Sequence, residues 1–402
     1  MNNRRFALAD LIVVFAYCAV VTLWPQFGGW LVVILLLPWL IRIVSGRVTF
    51  EKSAFIVPLA LIAITAGMGV WAAYDRQAAW GKFWMIIAAV ALFLALVNQP
   101  RTNLGVVASL VGLMGVIIAI TFILNNDWNT QSSDFGVIDR ARGWIMVNRP
   151  PIGFLSLSPN FAGGLLAILV PIPFALGLYS WKKGDRAKAI LSFAMVLVVL
   201  IGLFLTSSRG AWIALLLGMG VWVLWKVSIY LSVRIRKPSL LFFILLLLFL
   251  LIPALWVIGT YPGGAVGLAD RLPGSASGAS RFDLAVNTVK LIGDYPLTGG
   301  GLRSFPGLYS QYMMVTPYFL FSYSHNLYLD LFLEQGLFGG IAILAVVLGA
   351  AWMLIRQVRE LREASLVAHL AEALLVGILI MLLHGLVDDP LYGDTGTPLL
   401  LL

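Results

Sequence analysis

Stretch after stretch of this chain runs for the length of a membrane crossing without one charged side chain, among them 53–74, 102–126, 189–208, 238–269 and 335–355. A helix needs ~20 residues, at about 1.5 Å each, to cross a hydrocarbon layer about 30 Å thick. A spanning β-strand would show about ten residues of alternating polarity, which these continuous apolar runs do not. With 61% hydrophobic and 11% charged residues, against roughly a quarter charged in an ordinary soluble domain, the chain cannot bury its apolar surface in water. The expected fold is an all-α polytopic membrane protein forming a single transmembrane domain over 1–402.

Hydropathy and loop charge place eleven spans at 7–24, 29–44, 54–74, 82–98, 104–124, 155–179, 188–207, 210–231, 239–260, 335–355 and 366–387. A twelfth apolar run opens near Thr397. The N-terminus, with Arg4 and Arg5 before an apolar run, has the outline of a signal peptide. No small-x-small cleavage site precedes Trp24 and Pro25, so it reads as a retained first helix. The single cysteine, Cys18, excludes an intramolecular disulfide and any cysteine-based metal cluster.

Short connections on one side carry Arg42, Arg47, Lys52, Arg101, Lys182, Lys183, Arg186, Lys188, Lys226, Arg234, Arg236, Lys237, Arg356, Arg359 and Arg362. The positive-inside rule makes that side cytoplasmic, together with the N-terminus. The formal charge of +9 then follows from topology and calls for no nucleic-acid partner. The opposite side holds the two longest loops, 125–151 and 261–324, and the second is too long for a simple connector. It contains an expected amphipathic helix at 280–292, with Phe282, Leu284, Val286, Val289 and Ile292 available to face the bundle. A Pro/Gly-rich turn at 295–301 and an aromatic segment at 305–323 follow.

Nucleotide chemistry has no support, because neither GxxxxGK[ST] nor a GxGxxG strand-to-helix turn is present. Three histidines without HExxH spacing offer few zinc ligands. Asp388 and Asp389 could bind Mg²⁺, but an acidic helix end is the commoner reason for such a pair. No cofactor and no metal site is expected.

His325 follows the long loop and precedes an apolar helical run. If Ser322 or Ser324 caps that helix, the histidine lies in its first turn, where the helix dipole disfavours the imidazolium. A neutral imidazole there can act as a general base; the alternative is an interfacial histidine bonded to a carbonyl. Arg209 stands in a short turn between two spans on the side where the positive-inside rule expects no arginine. It either snorkels to lipid phosphate or grips a phosphate of a lipid-linked ligand. Arg281 and Arg303 could join it in a basic pocket, although an exposed loop arginine such as Arg303 commonly serves only solvation. His384 and Asp388, one turn apart, can face one cavity, and Asp388 either orients a base or substrate hydroxyl or locks two helices. His369 and Glu372 read as interhelical polar contacts.

The Ser-Ser-Arg209-Gly-Ala-Trp turn, Ser-Arg281-Phe-Asp, Tyr295 to Gly301, Ser324-His325-Asn326-Leu327-Tyr328-Leu329 with Glu334-Gln335-Gly336, and His384-Gly-Leu-Val-Asp388 occur in this order. In them the chain resembles the O-antigen ligase and O-antigen polymerase superfamily of membrane glycosyltransferases. The resemblance implies a GT-C-like fold in a bacterial inner membrane, with its active site periplasmic. It implies metal-independent transfer of a glycan from an undecaprenyl-pyrophosphate carrier to an acceptor hydroxyl. His325 would be the base, Arg209, Arg281 and Arg303 would hold the pyrophosphate, and Asp388, His384, Asn326 and Tyr328 would bind or orient the acceptor. Ligation of O-antigen to lipid A core is the leading expectation, and polymerisation of repeat units is the alternative. A polysaccharide or lipid transporter is a third reading, against which stands the absence of inverted repeats.

Overall fold

The computed structural model describes residues 3–23, 54–126, 128, 136–149, 157–235, 241–251, 281–314, 321–360 and 365–401, with single positions between 31 and 44. All regular structure among them is helical. Most of the expected span 29–44 and parts of both long loops lie outside the described residues.

In chain order the helices are α1 (Asn3–Leu23), α2 (Ile56–Ala72), α3 (Arg76–Val97), α4 (Leu104–Asn125), α5 (Gly136–Asn148), α6 (Pro159–Leu169), α7 (Pro171–Lys182), α8 (Arg186–Thr206) and α9 (Arg209–Ile235). Then come α10 (Leu241–Leu251), α11 (Arg281–Asp294), α12 (Phe305–Met313), α13 (Leu327–Glu360) and α14 (Leu366–His384). Among the described residues seven helical segments are long and apolar enough to span a membrane: α3, α4, α6 with α7, α8, α9, α13 and α14. Shorter apolar helices match the expected spans at 7–24, 54–74 and 239–260. The chain is an all-α multi-pass membrane protein.

Side-chain caps explain several starts. Asp75 accepts from the amides of Gln77 and Ala78, Ser158 from Phe161, Asp185 from Lys188 and Ser365 from Ala368, each satisfying a first-turn donor that lacks an intrahelical acceptor. The ends are equally local: Ser207 closes α8 in the left-handed conformation at φ 56°. Leu197, Leu216, Leu348 and Trp352 remain exposed on spanning helices, as lipid-facing side chains should. The core runs between α2, α3, α6, α13 and α14, around Ile62, Ala66, Leu331, Ile343 and Met381. Leu400 and Leu401, at the expected twelfth run, fold into this core on a short 3₁₀ turn (Pro398–Leu401).

Connectivity sorts the helix ends into two groups. Lys182, at the foot of α7, meets His369, near the start of α14, while Gly210, at the start of α9, packs on Val387 just beyond α14. The basic residues of the α7–α8 connection therefore lie at the end opposite His325. His369 and Glu372 do join helices as expected: Glu372 accepts from Trp222 Nε1 at 3.0 Å and from Lys226 Nζ at 2.5 Å.

The glycine turn at 299–301 serves packing. α13 breaks at Gly336, whose φ of 66° and ψ of −170° are not helical. The backbone groups freed there are met by the turn: Leu337 N donates to Pro296 O at 2.9 Å, and Gly300 N to Leu333 O at 2.7 Å. A Cβ on Gly336 would lie 2.2 Å from Leu297 O, and one on Gly299 2.5 Å from Gly336 N. Two backbones thus touch where only glycine fits.

Candidate active site

The residues singled out by sequence come from four places in the fold. Arg209 opens α9, Arg281 opens α11, His325 and Asn326 lead into α13, and His384 and Asp388 stand at the end of α14. Their meeting depends on how the start of α13 is built. Asn326 caps it, its Oδ1 accepting from the amides of Tyr328 and Leu329 at 3.1 Å each. Neither Ser322 nor Ser324 is the cap, so the expectation that His325 lies in the first turn is corrected. His325 precedes the helix in the left-handed conformation at φ 59°, rare for a residue with a Cβ and typically held by surrounding structure. The holding contacts are visible. Ser324 N donates to the buried Asp330 Oδ1 at 2.9 Å, Asn326 Nδ2 to Leu386 O at 3.2 Å, and Leu327 N to Gly385 O at 2.9 Å. Tyr328 donates its hydroxyl to Leu382 O at 2.9 Å, tying α13 to α14.

Asp388 is the hub. Its Oδ1 lies 3.3 Å from His325 Nδ1, accepts the Tyr323 hydroxyl at 2.9 Å and accepts the Asp389 amide at 2.8 Å. Its Oδ2 lies 3.7 Å from Arg281 Nη2, and Arg281 Nη1 also donates to Val387 O. Burial alone would raise the Asp388 pKa, but the His325 and Arg281 contacts outweigh it and hold the carboxyl below its usual range. The Tyr323 ring lies against the imidazole, centroids 4.3 Å apart. Burial and then the Asp388 charge push the Tyr323 phenol upward, so it stays a donor.

Arg209 is exposed at the first position of α9. The turn before it is braced by Arg142 of α5, which the sequence reading did not single out. Its Nη2 donates to Leu205 O at 2.8 Å and to Ser207 Oγ at 2.9 Å, and its guanidinium lies over Trp128. Arg303, by contrast, is committed to Asp394, with Nε and Nη2 at 2.8 and 2.7 Å from its Oδ1. It joins the loop after the glycine turn to the segment after α14.

Beneath the His325 turn lies a buried polar layer. Lys82 Nζ pairs with Glu334 Oε2 at 2.6 Å, both almost fully buried, and stands 3.9 Å from the centre of the Tyr392 ring. Gln335 donates to the Tyr392 hydroxyl at 2.9 Å and meets Thr65 Oγ1 at 2.8 Å. Asp389 Oδ1 accepts from Tyr392 N at 2.9 Å, and burial pushes the Asp389 carboxyl up to about 6. A lysine and acids inside apolar runs are themselves a functional signal in membrane helices, and that signal was present at Lys82, Asp330 and Glu334. Among the described residues no cluster of three or more His, Cys, Asp or Glu could hold a metal ion.

The long-loop helix corrects another expectation. The buried face of α11 is Leu284, Thr288 and Leu291, while Phe282, Val286 and Val289 are exposed. Both sets follow helical spacing, and residues two apart, such as 282 and 284, face opposite ways; packing on α12 and α13 buries the stripe of Leu284, Thr288 and Leu291.

Residues 194–344 match the O-antigen ligase family model. The match runs from α8 to the post-kink part of α13 and takes in Arg209, Arg281, Arg303, His325, Asn326 and Tyr328. It supports the superfamily resemblance and glycosyltransferase chemistry of the O-antigen ligase and polymerase type, acting on glycan and lipid substrates in a bilayer. His384 and Asp388 lie beyond it and reach the other residues through the fold. No curated protein sequence matches the chain.

Proposed function

We propose that the protein transfers a glycan from an undecaprenyl-pyrophosphate carrier to an acceptor hydroxyl at the periplasmic face of a bacterial inner membrane, with lipid A core as acceptor. The observation that carries this reading is the His325–Asp388 contact at 3.3 Å with Arg281 on the same carboxylate, formed partly within the segment that matches the O-antigen ligase family. A periplasmic site is supported by the positive-inside rule, since the basic connections lie at the other end of the bundle.

The arrangement supplies the parts such a transfer needs. With Nδ1–H donated to Asp388, the neutral imidazole leaves Nε2 to accept the acceptor's proton. The acceptor oxygen attacks the anomeric carbon, the bond from that carbon to the pyrophosphate oxygen breaks, and undecaprenyl pyrophosphate leaves with the electron pair. Asp388 stabilises the imidazolium that forms, as the carboxylate of a hydrolase triad does. Arg209 and Arg281 meet the charge developing on the leaving group without needing a metal ion. Arg303 contributes more weakly, since Asp394 already holds its fork.

The test uses purified protein in liposomes with an undecaprenyl-pyrophosphate oligosaccharide and EDTA. Lipid A core is offered in one arm, and excess donor alone in the other. Glycan on lipid A core, lost in His325→Ala and Arg209→Ala, is the expected outcome. Chain growth from donor alone would replace ligation with polymerisation, and full activity in His325→Ala would remove the mechanism.

A further inference from the structure

Away from the His325 turn the bundle encloses a cavity of about 430 Å³, within the roughly 300–1,000 Å³ that ligand sites occupy. At one end it is lined by Leu165 and Leu391, next to Gly164 and Pro390, where α6 packs on the segment after α14. At the other it is lined by Leu104, Gln357 and Leu370. Leu370 follows His369, the partner of Lys182, so the cavity reaches the end of the bundle opposite His325. Val97, which closes α3, and Met353 of α13 also line it and are exposed. The cavity therefore opens on the surface at that end.

The walls favour an apolar occupant. Gln99 and Gln357 are the polar side chains among the lining residues, and Gln99 is already committed. Its Nε2 donates to Ala7 O at 2.7 Å and Ala95 O at 3.0 Å, and its Oε1 accepts from Asn103 Nδ2 at 3.0 Å. An enclosed water needs about 2–4 polar partners, which these walls do not offer. In a bilayer the apolar molecules at hand are lipid chains.

The mouth adds a charge preference. Arg101 opens the 3₁₀ turn (Arg101–Asn103) that leads into α4, three residues before Leu104, and the Asn103–Gln99 bond ties this turn to the end of α3. Arg356 lies three residues beyond Met353 and so shares its face of α13. Both arginines are exposed, and their planar forks suit a phosphate oxygen. We infer that the cavity binds an anionic glycerophospholipid from the leaflet opposite the transfer site. One acyl chain fills the space between α3, α4, α13 and α14, and the phosphate is held at the mouth by Arg101 and Arg356. The site is separate from the proposed transfer reaction, whose groups lie at the other end of the bundle. Lipid bound there ties four helices together and stabilises the folded chain by mass action.

The test is native mass spectrometry of the delipidated full chain in detergent, titrated with phosphatidylglycerol, with phosphatidylcholine of the same acyl chains, and with undecaprenyl phosphate. Wild type is expected to bind phosphatidylglycerol about tenfold more tightly than phosphatidylcholine. The double variant Arg101→Gln with Arg356→Gln should lose that preference and keep its phosphatidylcholine affinity. Ala350→Phe and Gly377→Leu, which fill the cavity from α13 and α14, should each weaken both phospholipids about tenfold. A Cβ on Gly377 would meet only Ile168 O, at 3.4 Å, so this variant keeps the assay decisive if Ala350→Phe does not fold. Equal affinity for the two phospholipids in wild type, or a preference that survives in the double variant, overturns the headgroup assignment. Undiminished phospholipid binding in the filled variants puts the lipid on the outer surface and overturns the site. Displacement of phosphatidylglycerol by undecaprenyl phosphate overturns it in favour of the donor's own chain.

Discussion

Asp388→Asn separates the two roles that this carboxylate can have. The amide keeps the shape and can still accept from Tyr323, so the buried packing around it survives, but the negative charge beside His325 is lost. A unit pair 3.3 Å apart at an effective dielectric of ~20 is worth about 5 kcal/mol. His325 is 24% exposed, and water screening together with the hydrogen bond that asparagine retains leaves roughly half of this, about 2–3 kcal/mol, as lost stabilisation of the imidazolium. That corresponds to a fall in kcat of ~30- to 150-fold. The assay is steady-state glycan transfer in liposomes with donor saturating and acceptor varied, alongside a thermal melt in detergent. The expected pattern is a lower kcat, an acceptor KM close to wild type and a nearly unchanged melting temperature. An unchanged kcat refutes the argument, because it means that the charge at Asp388 does not act on His325 during transfer. A loss of activity that only follows a lower melting temperature refutes it as well and makes Asp388 a structural tie between α13 and α14.

Lys82→Met leaves Glu334 buried without its partner and should destabilise the protein by about 3–5 kcal/mol; the double variant with Glu334→Gln should recover most of this in a thermal melt. Gly336→Ala forces a Cβ to within 2.2 Å of Leu297 O at a φ of 66° and should cost at least ~3 kcal/mol, read as lost expression or a lower unfolding midpoint. Asp389 has its pKa raised by burial from 3.8 to about 6, so the folded state binds its proton more tightly than the unfolded chain does. Its contribution to stability is full below about pH 4 and lost as pH rises through about 6, roughly 3 kcal/mol in all; melts between these pH values should show a slope that Asp389→Asn removes. Arg142→Ala frees the Leu205 carbonyl and the Ser207 hydroxyl that brace the turn before Arg209, and donor affinity should fall about tenfold while acceptor affinity holds.

The membrane class, the helical architecture and the two-sided charge distribution were legible in the sequence, because each rests on local quantities. A run such as 189–208 is long and apolar whatever it packs against, and its cap, Asp185, lies in the adjacent residues. His325, Arg209 and Asp388 were also legible as anomalies, charged or titratable groups at the ends of apolar runs where solvation alone gives them little reason to be. What they do to one another was not. The cap of α13 could have been any of three polar residues, and the choice of Asn326 is made by contacts with Leu386 O and Gly385 O across the bundle. The Lys82–Glu334 pair joins residues 252 positions apart, numbered from its two members, and Arg303 finds Asp394 91 positions away. The glycines at 299–301 suggest nothing beyond a turn until Gly336 breaks α13 against them. Hydropathy and capping act between near neighbours in the chain, so sequence determined the long apolar helices, whereas the short helices α5 and α12 lie in what it gave only as a loop and an aromatic segment. Ion pairing, the packing of His384 against Gly164 and Gly210 and the strained backbone at His325 depend on which helices touch, and only the tertiary structure decided that.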